Sequence, residues 1–510
     1  MTARIERGAG PGSGDALSSR ARARLERVRR WAAGERIEVA VAVAFGLVVA
    51  RATVARTFLG PALIVALLAG VVLLRRPHAM VYAILALIPV QWITLLGERL
   101  RVISFLTWSA FAYFMARAMV RRRKIGDGVV WAYLGFLAVC ALSLLNSVDL
   151  SVSYQYVRFY VFALLFGFAM LLAVEDEARL RTAVGILFAW GVAQAVLALL
   201  QSLVSPVFFP AYYFRVFGMD IVDFYAVAGI RRASGTFENG PRFAMFLMLP
   251  FAVALVSVFG RDSRRRWGPL LCLALFSLAL VVSFTRAALL LSVLMLPLFF
   301  ALEKRRGMIA RSVGWLAFAG LVAAALGTLV LSDGVLAALA ARFELTGSAT
   351  YKDRFYFLWN ALNAFLEHPL LGLGIGTYIL HSWDLMQRYP VPWQSLRWEP
   401  TPFTMPESVP VHNSYARILA ETGIFGLAAY VAIFWMTVKN YLRVIRETAS
   451  PALRRIALAF LLYLLIMLVY WFAHEYVIEE PYVAILPVVV SVIARRIVER
   501  EKGSADSAGP

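Results

Sequence analysis

The run Val411-His412-Asn413-Ser414-Tyr415, continuing as Ala420-Glu421-Thr422-Gly423-Ile424-Phe425-Gly426, closes the longest polar excursion of an otherwise apolar chain. An imidazole titrates close to neutral pH, so His412 held at a membrane surface could take the proton from a substrate hydroxyl during group transfer. Asn413 or Ser414 can cap a short helix through Ala420, and Gly423 supplies its stop. Glu421 is the obvious carboxylate partner for His412. Nine positions at about 100° each, however, put it on the opposite face of a continuous helix, so it reads as structural and the partner of His412 stays open.

Arginines form the second set. Arg286 lies in Ser283-Phe284-Thr285-Arg286-Ala287-Ala288, Arg231 and Arg232 open Arg231-Arg232-Ala233-Ser234-Gly235-Thr236-Phe237, and Arg354 begins an amphipathic segment. Guanidinium groups grip phosphate oxygens two at a time, so several converging at one leaflet would suit a diphosphate; each alone could equally snorkel to lipid headgroups. Trp383, Trp393 and Trp398 could stack on sugars, although interfaces attract tryptophan generally. The run Gly372-Leu373-Gly374-Ile375-Gly376 lacks the preceding strand and following acid of a dinucleotide site and reads as a turn. The outer loops hold no close acidic pair, and Glu175-Asp176-Glu177 falls on the other side of the membrane, so neither a metal nor another cofactor is expected.

What must position these groups is a set of membrane helices. Of the 510 residues 61% are hydrophobic and 16% charged, with a mean hydropathy of +0.73. These values lie far from soluble domains and predict an all-α polytopic membrane protein. The apolar runs lack the alternation of a lipid-facing barrel. Spans are expected at 38–50, 58–74, 79–96, 102–120, 128–146, 154–174, 182–204, 241–260, 267–283, 287–302, 309–332, 423–440, 455–473 and 480–494, about 14 helices, with 12 or 13 left open by the weak first hairpin. Residues 1–36 read as a disordered basic cytoplasmic tail without the apolar core of a cleavable leader, and 497–510 as a second cytoplasmic tail. Between them, 37–332 carry helices interrupted by an outer loop at 205–240, 333–422 form a large outer loop bearing the candidate site, and 423–496 return to helices.

The net charge of +20 does not point to nucleic acid, because no basic face alternates with stacking aromatics. Lys and Arg gather instead in short connections such as Arg121-Arg122-Arg123-Lys124 and Arg264-Arg265-Arg266, as cytoplasmic loops should. The large loop is nearly balanced in charge. Within it, Tyr351 to Phe365 sets Phe355, Leu358, Leu362 and Phe365 at helical spacing, predicting an amphipathic helix near the membrane. Cys140 and Cys272 both fall in apolar runs, which speaks against a disulfide framework.

Taken in order, Arg232-Ala-Ser-Gly-Thr-Phe with Asn239-Gly-Pro-Arg-Phe, Phe284-Thr-Arg286-Ala-Ala, and the stretch from Arg354 through Pro369-Leu-Leu-Gly-Leu-Gly to His412-Asn-Ser-Tyr and Glu421-Thr-Gly resemble the O-antigen ligase and Wzy-type polysaccharide polymerase superfamily of bacterial inner membranes. The resemblance covers roughly residues 225 to 440. It implies a multi-pass inner-membrane glycosyltransferase with its site and both outer loops periplasmic, acting in lipopolysaccharide biosynthesis. Such an enzyme moves glycan from undecaprenyl diphosphate to an acceptor hydroxyl, on lipid A-core or a growing glycan, among membrane lipids and without a metal. On that carry-over His412 resembles the general base, and Arg286 and Arg354 the arginines that hold the leaving diphosphate. Arg231, Arg232, Asn413 and Tyr415 would contact substrate. Asn239-Gly240-Pro241 departs from the usual small polar turn, which leaves substrate choice open. A polymerase is the nearest alternative to a ligase, and a flippase or exporter of lipid-linked sugars is the alternative outside enzymes.

Overall fold

The computed structural model of the protein describes residues 77–91, 101–122, 126–203, 226–227, 230–231, 233–237, 239–260, 266–305, 307–309, 311, 349–391, 411–474 and 480–507. The expected spans at 38–50 and 58–74, and residues 312–332 of a third, lie outside them. The chain divides into two compact units, Met1–Ala83 and Ile84–Pro510. Only residues 77–83 of the first are described.

In chain order the helices are α1 (His78–Leu87), α2 (Val102–Val120), α3 (Gly128–Ser143), α4 (Leu150–Ala173), α5 (Glu177–Leu203), α6 (Gly240–Phe259), α7 (Trp267–Val282), α8 (Arg286–Leu302), α9 (Ala349–Glu367), α10 (Tyr378–Arg388), α11 (Ser414–Glu447), α12 (Pro451–Tyr470) and α13 (Pro481–Ser507). Ala226–Val227 and Ile230–Arg231 pair as a minimal antiparallel hairpin, β1 and β2. Among the described residues, eight helices are long and apolar enough to cross a membrane, and three shorter apolar helices accompany them. The chain is an all-α polytopic membrane protein.

Boundaries shift where polar contacts extend a helix past its apolar stretch. The span expected at 423–440 is part of α11, which starts at Ser414 and bends at Gly423. The stretch 497–510 was expected to be a disordered tail, yet α13 continues to Ser507. Lys502 Nζ reaches Glu447 Oε2 at 2.9 Å, Arg500 Nη1 donates to the Glu175 carbonyl at 2.7 Å, and Arg495 pairs with Glu499 at 3.2 Å, so charged neighbours hold this extension in register.

Helices approach closely where small residues allow it. A side chain on Gly191 of α5 would meet the Pro250 ring of α6 at 2.5 Å. α11 packs on α3, α9, α12 and α13, and α6 packs on α7 and α12. The two ends of the bundle differ chemically. At one end Asp127 before α3 pairs with Arg495 of α13, and Glu303 after α8 pairs with Arg454 of α12 at 2.6 Å. The opposite end collects the turns that carry His412 and Arg286.

Candidate active site

The start of α11 is fixed from several sides. Asn413 is its N-cap, with Oδ1 accepting the N–H groups of Tyr415 and Ala416, each at 3.0 Å. Ser414 donates its N–H to the Trp471 carbonyl at 2.9 Å and its hydroxyl to the His474 carbonyl at 2.7 Å, which ties the turn to the end of α12. His412 itself has a φ of +55°, the left-handed region that a residue with a Cβ seldom occupies. Surroundings this constrained can maintain such a conformation.

The imidazole meets α9. Its ring lies 5.9 Å from that of Phe357, and Arg354 stands one turn earlier on the same helix. Burial, with the Arg354 charge adding to it, pushes the His412 pKa down to about 4. At neutral pH the ring is therefore neutral and able to accept a proton.

A knot of glycine backbone lies behind this turn. Gly423 breaks α11 with φ +65°, and residues 369–374 cover the break. Leu373 N–H donates to the Ala420 carbonyl at 2.9 Å, Gly374 N–H to the Glu421 carbonyl at 3.0 Å, and Ile424 N–H to the Pro369 carbonyl at 2.9 Å. The two chains are so close that a Cβ on Gly423 would collide with the Leu370 carbonyl. On its other side the glycine turn is held by α3 and the residues after it: Asn146 Nδ2 donates to the Gly372 carbonyl at 2.8 Å, and Ile375 N–H to Ser143 Oγ at 3.1 Å. Glu421 faces Arg417, whose Nε donates to Oε1 at 3.0 Å and whose guanidinium lies 4.7 Å over the Tyr156 ring. The Glu421 carboxylate is thus engaged in the knot.

Arg286 opens α8. Its N-cap, Thr285, makes no side-chain cap bond, so the first N–H groups of α8 are not closed by that hydroxyl. The preceding Phe284 has a φ of +50°, so both the His412 and the Arg286 turns carry a strained non-glycine residue. A Cβ on Gly240, the first residue of α6, would come within 2.9 Å of the Ser283 carbonyl, which puts the N-termini of α6 and α8 side by side. Tyr470 links this pair to the His412 turn: its hydroxyl donates to the Pro241 carbonyl at 3.1 Å, and the His474 ring stacks on it at 4.3 Å. Three helix N-termini, those of α6, α8 and α11, gather at this end, and with them the positive ends of three helix dipoles.

Of the residues singled out from sequence, the fold brings Arg354 to His412 and places Arg286 at the same end of the bundle. Arg231 lies in β2, opposite Ala226. Arg232, Trp393 and Trp398 lie outside the described residues. Asn413 Oδ1 is occupied by the cap, and the Tyr415 hydroxyl donates to the Leu468 carbonyl at 2.6 Å while its ring lies 4.5 Å from Phe472. Trp383 packs on the cluster of Tyr356, Phe357, Met386 and Val391 beside the histidine. Sequence reasoning passed over Tyr470 and His474, the bridge between the turns, and Gln194 and Gln201 of α5, which hold the Ser234–Thr236 backbone. The glutamines did leave a signal, since amides seven residues apart in an apolar span share one face.

No curated protein matches the chain. Residues 271–431 match the Wzy_C family model, described as O-antigen ligase, a stretch that contains Arg286, Arg354, His412 and the Glu421–Gly423 knot. Over residues 271–431 the chain is thus similar to the O-antigen ligase family.

Proposed function

We propose that the protein is a membrane glycosyltransferase of ligase type, joining a polysaccharide carried on undecaprenyl diphosphate to an acceptor hydroxyl, on lipid A-core or a similar lipid, at the periplasmic face of the bacterial inner membrane. The observation that carries this reading is the juxtaposition of Arg354 with a neutral His412, at the end of the bundle where Arg286 opens α8. His412 takes the proton of the acceptor hydroxyl as its oxygen attacks the anomeric carbon. The bond from that carbon to the diphosphate oxygen breaks, and the diphosphate leaves with the bonding pair. Arg286 and Arg354, aided by the N-terminal N–H groups of α8, hold the charge that develops there. Asn413 and Tyr415 serve the turn: one caps α11 and the other anchors it to α12.

Arg354 also connects binding to basicity. It depresses the His412 pKa in the free protein, so a bound diphosphate that offsets its charge strengthens the base when the donor is in place. The test in cells is the lipopolysaccharide of a deletion strain. Loss of the whole ladder to bare core supports ligase chemistry, whereas core bearing a single repeat would assign polymerisation instead. In vitro, transfer from a defined lipid-linked donor by purified His412→Asn protein at the wild-type rate would end the base assignment.

A further inference from the structure

Gln194 and Gln201 are both buried within α5, a helix otherwise suited to hydrocarbon. An amide in such a place is costly unless its donor and acceptor are both used. Here the oxygen and the nitrogen of both amides bond to one short segment, Ser234–Thr236. Gln201 Oε1 accepts the N–H groups of Ser234 and Gly235 at 3.1 and 2.9 Å, and its Nε2 donates to the Gly235 carbonyl at 2.8 Å. Gln194 Oε1 accepts the Thr236 N–H at 2.8 Å, and its Nε2 donates to Thr236 Oγ1 at 2.9 Å. Gly235 has a φ of +58°, and a Cβ there would collide with Gln194 Oε1. The glycine of the Ala-Ser-Gly-Thr-Phe motif is the residue that lets the clamp close.

On its far side the clamped segment meets the Arg286 turn. Ala233 N–H donates to the carbonyl of Val282, the last residue of α7, at 3.1 Å. The Ser283 carbonyl then lies between Gly240 and the strained Phe284 that leads to Arg286. We infer that Gln194 and Gln201 are positioning residues of the transfer site: through Ser234–Thr236 and Ala233 they brace the Ser283–Thr285 turn and so hold Arg286 and the N-terminus of α8 toward the donor diphosphate. This inference rests on the reading of Arg286 as a diphosphate-binding residue.

The test measures the affinity of the purified full-length protein for undecaprenyl diphosphate in detergent, in the wild-type and Arg286→Ala backgrounds. Gln201→Leu is expected to weaken binding about tenfold in the wild type, as loss of about one hydrogen bond's worth of positioning would. In the Arg286→Ala background it should change nothing further, because the clamp acts through that arginine. Thr236→Val, which removes the hydroxyl that accepts from Gln194 and donates to the Pro89 carbonyl, gives a milder weakening of about two- to threefold and keeps the test open if Gln201→Leu does not fold. Affinity unchanged in both clamp variants, or an equal loss with and without Arg286, overturns the clamp while leaving Arg286 in its role. Unchanged affinity in Arg286→Ala itself overturns that role, and the clamp's purpose with it.

Discussion

Phe357 and His412 meet ring to ring, 5.9 Å between centroids and tilted by 44°, across a junction between the loop helix α9 and the entry to α11. The contact sets the imidazole at the foot of an apolar helix long enough to cross a membrane and carries Arg354 to its side. One aromatic packing interaction thereby brings together residues more than fifty positions apart in the chain.

Replacing His412 by Asn keeps a residue that tolerates the left-handed backbone but removes the proton acceptor. Turnover is expected to fall by about 10²- to 10⁴-fold while donor affinity changes little. Initial rates against donor concentration decide the matter, and a raised KM with unchanged kcat would assign His412 to binding instead.

The pH profile should show two acid limbs. With the His412 pKa near 4 in the free protein, the neutral base is lost only as pH falls through about 4, so kcat/KM stays flat down to there. Bound diphosphate offsets Arg354, so the limb in kcat should lie at higher pH. Arg354→Leu removes a depressing charge and should move the kcat/KM limb toward neutrality, whatever it does to the rate itself. Coincident limbs, unmoved in the variant, would remove Arg354 as a partner of the base.

Folding stability follows the same sign. A buried neutral histidine with a depressed pKa is protonated more readily in the unfolded chain, so its effect is absent above about pH 6.5 and destabilises the fold progressively as pH falls toward 4. His412→Asn should therefore flatten the acid side of a plot of melting temperature against pH in detergent. An identical slope in wild type and variant would show that the ring is not the group responsible.

Arg417→Ala leaves the fully buried Glu421 without the guanidinium that pairs with it at 3.0 Å. Breaking one side of such a pair costs roughly 3–5 kcal/mol, whereas Arg417→Met combined with Glu421→Gln should recover much of it. Thermal unfolding of the single and double variants provides the comparison. A double variant no more stable than Arg417→Ala would count against the pair as a structural unit.

Gly423→Ala forces a Cβ into the left-handed region, costing about 1–2 kcal/mol, and against the Leu370 carbonyl as well. Loss of folded protein, or a melting temperature several degrees lower, is the expected result in fluorescence-monitored unfolding. An alanine variant as stable as the wild type would mean that the knot over the α11 bend can open without penalty.

Much of the membrane architecture was legible in advance because it depends on local sums. The span at 102–120 coincides with α2, and those near 241–260 and 267–283 differ by a residue or so from α6 and α7, since apolar length alone decides where a helix must stay out of water. Helical spacing at Tyr351–Phe365 located α9 for a related reason: an amphipathic face is a periodic property of one segment. The extension of α13 beyond 496 was hidden because its support comes from Glu447 and Glu175, which are distant in sequence.

The candidate site was half legible. His412, Arg286 and Arg354 stand out as residue types, and capping chemistry foretold the start of α11 and its break at Gly423. What the chain's order determined by itself was the helical membrane class, the place of apolar helices such as α2, α6 and α7, and the capped start of α11, all consequences of hydropathy, charge and local backbone preference. Only the tertiary structure decided that Arg354 comes to His412, that Tyr470 and His474 join the two turns, and that two buried glutamines brace one of them. Those outcomes depend on which surfaces pack together, and packing pairs groups by shape and hydrogen bonding across stretches of sequence that carry no mark of one another.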